Sequence, residues 1–150
     1  MLNNNYPIVE FLSGKTHQIK SSIYHLMRGE VFIIENKTFF CFGGAESHDK
    51  EYRREYLSWW REEIPSWAEV ENGYNNLGRY NYNVDYVLTH TAPLGVVRCP
   101  NSDFQKNPVT TMLDDLNTKI HCKKWLFGHH HLDIDIDDKF MCLYNRIILL

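Results

Sequence analysis

The sequence predicts an α/β domain with antiparallel strands at its C-terminal end, and three observations carry that expectation. Short apolar runs bounded by turn residues recur along the chain, as buried strands do. Amphipathic segments with apolar residues at helical spacing lie between them. From Leu132 onward the pattern is one of strands joined by a tight polar turn.

Residues 6–20 hold Pro7, Ser13 and Gly14 and read as a short apolar element followed by a turn. Ile23 to Leu26 is strand-like. Val31-Phe32-Ile33-Ile34-Glu35 and Thr38-Phe39-Phe40-Cys41-Phe42 flank Asn36-Lys37 at hairpin spacing, and asparagine tolerates the positive φ that such a turn needs. The second of these strands is apolar on both faces, which predicts a central place in a sheet with a layer on each side. Gly43-Gly44-Ala45 ends it, after which Ser47 or Asp49 caps a helix from about Lys50 to Glu63. Tyr52, Tyr56, Trp59 and Trp60 form the apolar stripe of that helix. Ile64-Pro65 stops it, and Ser66 opens a second helix as its N-cap, with Glu69 at the capping-box position.

Val84 to Leu88 is a strand that delivers His90. Thr91 to Asn107 contains two prolines, one glycine and no periodicity, and reads as a long functional loop. Pro108 introduces a short helix, roughly Val109 to Asn117, capped by Asn107. Lys123 to Phe127 is the strand that presents Gly128-His129-His130-His131. Leu132, Ile134 and Ile136 then alternate with aspartates, the pattern of a half-exposed strand. A calcium loop is excluded, because counting from Asp133 the sixth and twelfth positions are Asp138 and Tyr144 and not glycine and glutamate. Asp137-Asp138 turns the chain into Lys139 to Tyr144, and Arg146 to Leu150 adds a last strand.

The 150 residues suffice for one domain that buries roughly two-thirds of its unfolded surface. A hydrophobic share of 43% and an aromatic share of 14% argue for a packed core. With a net charge of −3, a pI near 6.2 and scattered lysines and arginines, there is no basic footprint for nucleic acid. Cys41, Cys99, Cys122 and Cys142 form no Cys-x-x-Cys pair, and three of them lie in or beside apolar runs, so a reduced, cytoplasmic protein is expected. The first five residues have neither a basic start nor a long apolar core, and no apolar run approaches the ~20 residues of a membrane span.

The chemistry concentrates where two strands end at histidine. On an extended backbone His129 and His131 would share a face while His130 points away, and His90 could add a third nitrogen from a neighbouring strand end. Three neutral imidazoles suit a divalent transition ion such as Mn, Fe, Zn or Ni, with bonds of about 2.0–2.1 Å for Zn. The plainer alternative for three consecutive histidines is a solvated surface tract.

Gly128-His129-His130-His131 resembles the Gly-His-x-His motif that closes the calcineurin-like metallophosphoesterases. Thr89-His90-Thr91-Ala92-Pro93 resembles the single-histidine motif that precedes it in that family. The resemblance extends as local pattern to Gly43-Gly44-Ala45, Ser47, Asp49 and Trp59-Trp60 through Glu63-Ile64-Pro65. It implies a fold of stacked mixed β-sheets flanked by helices, a dinuclear metal centre and hydrolysis of phosphate esters. By motif match His90 and His129 would ligate one ion and His131 the other. The family's three earlier motifs, Asp-x-His, Gly-Asp and Asn-His followed by an acid, do not occur in these residues. The segment from Tyr6-Pro7-Ile8-Val9-Glu10 onward resembles the stretch just after the third motif in that family. The chain thus resembles the C-terminal part of such an enzyme, with at most one ion expected and no residue assigned to catalysis.

Three readings are open: a metal-dependent phosphoesterase truncated of its N-terminal half and incompetent alone, a non-catalytic metal-binding or oligomerisation module, or one half of a split enzyme. Without the family's N-terminal strands, Thr38 to Phe42 and Val84 to Leu88 would expose apolar faces, so a homo-oligomer covering them is expected, with no membrane and no nucleic-acid partner.

Overall fold

The computed structural model describes residues 5–46, 50–96 and 106–150. Its architecture is mixed α/β, with two sheets and two α-helices. Strands β1 (Ile8–Phe11), β2 (Gly14–Lys20) and β3 (Ile23–Leu26) form an antiparallel meander. Strands β4 (Glu30–Ile34), β5 (Lys37–Phe42), β6 (Tyr86–Thr89), β7 (Lys124–Phe127), β8 (Ile134–Asp135) and β9 (Phe140–Cys142) form a mixed sheet in the order β4-β5-β6-β7-β9-β8. Its four middle strands are parallel, and an antiparallel strand closes each edge. The C-terminal region is therefore antiparallel only between β8 and β9, since β9 runs parallel to β7.

Helices α1 (Trp67–Arg79) and α2 (Pro108–Lys119) connect β5 to β6 and β6 to β7. Successive crossovers that step the same way across a sheet share a hand and lay their helices on one face. Accordingly Leu77 of α1 and Val109, Leu113 and Leu116 of α2 pack with Phe40, Phe42, Val87, Trp125 and Phe127 in one core. The opposite face holds Phe32, Phe39, Cys41 and Tyr86, with Leu26 of the meander against them. The two sheets meet closely there: a Cβ added at Gly14 would lie 2.5 Å from the Phe32 ring.

Both helix starts follow their sequence signals. Ser66 Oγ accepts from Glu69 N while Ser66 N donates to the Glu69 carboxylate, and Asn107 caps α2 with Pro108 at its first turn. The hairpin forms one residue earlier than expected, with Glu35 and Asn36 in the turn at φ 49° and 61° and Lys37 already paired in the strand.

The helix expected from Lys50 to Glu63 is absent, and two short 3₁₀ turns, Lys50–Tyr52 and Arg61–Glu63, stand in its place. Tyr52 is 92% exposed and Tyr56 61%, so the first half of the aromatic stripe finds no surface to bury against. Tyr56 takes φ 60°, which ends helical geometry. The caps expected at Ser47 or Asp49 lie outside the described residues, as does Cys99 and much of the loop after Thr91. Leu132, Ile134 and Ile136 stay between 40% and 46% exposed, so the alternating segment yields a short edge strand without a buried face. Arg146 to Leu150 forms no strand.

The expected bare faces are also covered. Phe39 to Phe42, Tyr86 and Val87 are all buried, because the meander and the two helices close over both sides. Cys41 and Cys142 are buried thiols and Cys122 is half-buried; burial pushes Cys41 up to about 12, which makes it an inert core residue. Among the described residues no helix is long and apolar enough to cross a membrane.

Asp85 ties the amino-terminal ends of the parallel strands together. Its carboxylate accepts from Thr38 N at 2.8 Å, from Thr38 Oγ1 at 3.0 Å and from Lys123 Nζ at 2.7 Å. Lys123 first, and then the Thr38 amide, hold it down at about 2. A folded value below the unfolded ~3.9 adds stability that is present above the unfolded value and lost as pH falls toward 2. The stability gap between wild type and Asp85→Asn, read by urea unfolding, should therefore shrink from pH 6 to pH 2.5; a constant gap would rule this out.

Candidate metal centre

The carboxyl ends of β5, β6 and β7 lie side by side, and the chain leaves each of them at a residue of interest: Gly43 after β5, His90 after β6 and Gly128 after β7. Crevices outside the carboxyl ends of parallel strands are where α/β sheets place ligands. Arg28 joins them there, since β4 runs the other way and begins at this end of the sheet.

Gly128 N donates to His90 O at 3.1 Å, which fastens the two histidine loops to each other. His90 Nε2 and His129 Nδ1 are then 3.0 Å apart, with the rings at 67°. This separation suits an N–H···N hydrogen bond. It equally suits two ligands of one ion, which at about 2.05 Å from each nitrogen would subtend an angle of about 95°.

Burial is the main cause that pushes the pKa of His90 below its ordinary value; Glu63 opposes it, while Arg28 and His131 add to it. That direction favours the neutral imidazole, the form a metal binds.

The other two histidines depart from the extended-strand expectation. His129 and His131 have φ 70° and 53°, left-handed and not extended, and His130 N bonds back to Gly128 O at 2.9 Å. The ring of His130 turns inward, edge-on to Phe127 at 5.8 Å, and His131 stacks on Tyr144 at 4.8 Å. The structure thus pairs His90 with His129, and places His131 near enough to act on His90 electrostatically but on a different ring partner.

Asp133, the nearest carboxylate in sequence, is engaged elsewhere: it accepts from the backbone N–H groups of Tyr144, Asn145 and Arg146. Among the described residues no group of three or more histidine, cysteine, aspartate or glutamate side chains is gathered tightly enough to hold an ion. Among the described residues the donors at chelating distance are therefore the two imidazoles of His90 and His129.

A cleft of about 1060 Å³ has Tyr6, His25, Arg28, Trp60, Glu63 and Ile64 among the residues on its wall, of which Arg28 and Glu63 also act electrostatically on His90. None of these belongs to the histidine motifs; Tyr6, Trp60, Glu63 and Ile64 lie in stretches that carried the wider resemblance, whereas nothing in the sequence pattern marked His25 or Arg28 as site residues. Comparison of the chain with family models, with curated proteins and with solved structures found no match.

Proposed function

We propose that this chain is a metallophosphoesterase-like metal-binding domain that takes one divalent transition ion on His90 and His129, with His131 beside them, and that these residues alone do not hydrolyse phosphate esters. The observation that carries the reading is the pair of imidazole nitrogens 3.0 Å apart at the ends of adjacent parallel strands. The finer fold, stacked mixed sheets flanked by helices as in that family, belongs to the same proposal. Support for it comes from a six-stranded mixed sheet with helices on one face and a smaller sheet on the other.

An ion bound here would supply positive charge to polarise a phosphoryl oxygen. The chain's own part is to hold two imidazoles at chelating distance. Two close cations need anionic ligands between them, and among the described residues no carboxylate is gathered with the two histidines, so these residues by themselves are expected to turn over little substrate.

Elemental analysis after loading with Mn, Zn or Ni and gel filtration tests the reading. About one ion per chain is expected in the wild type and close to none in His129→Ala. Equal content in the two proteins would remove the claim. Wild-type hydrolysis of an aryl phosphate should stay near the rate of free metal, and robust turnover lost in His131→Ala would overturn that part.

A further inference from the structure

The cleft beside the metal centre carries a second pair of histidines. His17 on β2 and His25 on β3 stand directly opposite in the register, and both line the cleft. Their Nδ1 atoms are 3.1 Å apart, so one proton lies between them, since two protonated or two bare nitrogens would repel at that distance.

Which ring owns that proton is decided by burial. His17 is 1% exposed, and its Nε2 is buried with no hydrogen-bond partner. A neutral imidazole has one N–H. On Nε2 it would be a buried donor with nothing to meet; on Nδ1 it is satisfied by His25, and only an acceptor lone pair is left over. Orphaned donors are the rarer and costlier case. His17 therefore donates, His25 accepts through Nδ1, and the proton of His25 resides on Nε2 as a donor.

Arg28 lines the same cleft three residues further on. Its side chain is only 20% exposed and is held in place by Nη2 donating to Glu62 O at 2.8 Å and by two contacts of 3.4 Å from Nη1 to the Glu69 carboxylate. That carboxylate is shared with the cap of α1, accepting Ser66 N at 2.7 Å and Ser66 Oγ at 2.8 Å. Beside Nε runs Gly43, whose missing side chain leaves 3.9 Å between Nε and the place a Cβ would take. A planar fork with a fixed orientation is suited to an oxyanion. Glu62, Glu63 and Glu69 outnumber Arg28 and Arg61 on the wall. Directed N–H groups, and not net charge, must then do the recognising.

We propose that His25 Nε2–H and the Arg28 guanidinium together bind a phosphate-type oxyanion in this cleft, and that His17 is the positioning residue that keeps His25 a donor. The site needs no metal, so it stands or falls apart from the reading above.

The test uses the full chain, freed of metal by chelator, titrated with inorganic phosphate and followed by nitrogen-15 NMR of the imidazoles. A saturable change at His25 is expected in the wild type, and the affinity, read in every variant by titration calorimetry, is expected to weaken at least about tenfold in His25→Phe and in Arg28→Lys and to stay unchanged in His129→Ala. Acetate, with a single charge and two oxygens, should bind more weakly. No saturable change, wild-type affinity in His25→Phe, equal loss in His129→Ala, or acetate binding as tightly as phosphate would each overturn the assignment. Where a variant fails to fold, the ring nitrogens of the wild type still decide: His17 protonated on Nδ1 and His25 on Nε2 supports the positioning role, and the reverse sinks it.

Discussion

Replacing Trp125 with alanine is expected to destabilise the protein by about 3–5 kcal/mol, the largest effect of any single truncation in this core. Trp125 is fully buried at the centre of β7 and packs against Phe140 at 5.5 Å between ring centroids. Its Nε1 donates to Thr89 Oγ1 at 2.9 Å, which links β7 to the residue just before His90. Alanine removes that link and leaves a void that the neighbouring strands fill only in part. Against a total stability of about 5–15 kcal/mol, the loss is about a fifth of the whole or more. Trp125→Phe keeps most of the ring volume and should fall in between. Urea unfolding followed by far-ultraviolet circular dichroism reads both; an alanine variant within about 1 kcal/mol of wild type would mean that this core is not packed as described.

The second large effect is expected at Gly29, where alanine should destabilise by about 2–5 kcal/mol from two causes that add. The residue has φ +77°, a conformation that L side chains rarely adopt. A Cβ there would lie 2.7 Å from Gly73 N and 2.9 Å from Glu69 O, both backbone atoms of α1 that cannot step aside without moving the helix. Gly29 also donates its N–H to Cys41 O at 2.8 Å and accepts from Asn76 Nδ2 at 2.8 Å, so shifting it loosens both the strand and the helix. Gly78 is the control, since it lies in the same helix with nothing within 4 Å of an added Cβ. Gly78→Ala should stabilise by up to about 1 kcal/mol through helix propensity. If the two substitutions shift the urea midpoint alike, the close crossing of α1 over β4 is not what holds this corner.

Local chemistry was the legible part of the chain. Ser66 with Glu69, and Asn107 with Pro108, specify helix starts through hydrogen bonds that need nothing from the rest of the fold. The apolar runs at Phe39 to Phe42 and Trp125 to Phe127 announce central strands because burial on both faces leaves no room for polar residues. The stretch from Lys50 to Glu63 misled for the converse reason: an aromatic stripe at helical spacing makes a helix only where a surface awaits it, and Tyr52 and Tyr56 face solvent.

Strand β2 was hidden because its buried positions are polar. Thr16 and His17 are 0% and 1% exposed, and no hydrophobicity pattern marks them. The same gap hid the second histidine pair. A signal was present, however: Ser21-Ser22 has turn chemistry, and His17 and His25 fall opposite each other once the two strands fold about it. The histidine run was legible as chemistry but not as geometry, because backbone conformation at a loop is settled by the contacts at both of its ends.

Those two left-handed residues, His129 and His131, bear on what the loop is for. Glycine would sit there without strain, whereas each β-carbon in that region works against the backbone by the order of 1 kcal/mol. Folding alone would favour the smaller residue at both places. Imidazoles held there carry that cost, and what each ring offers against it is the contact it makes, with His90 for one and with Tyr144 for the other.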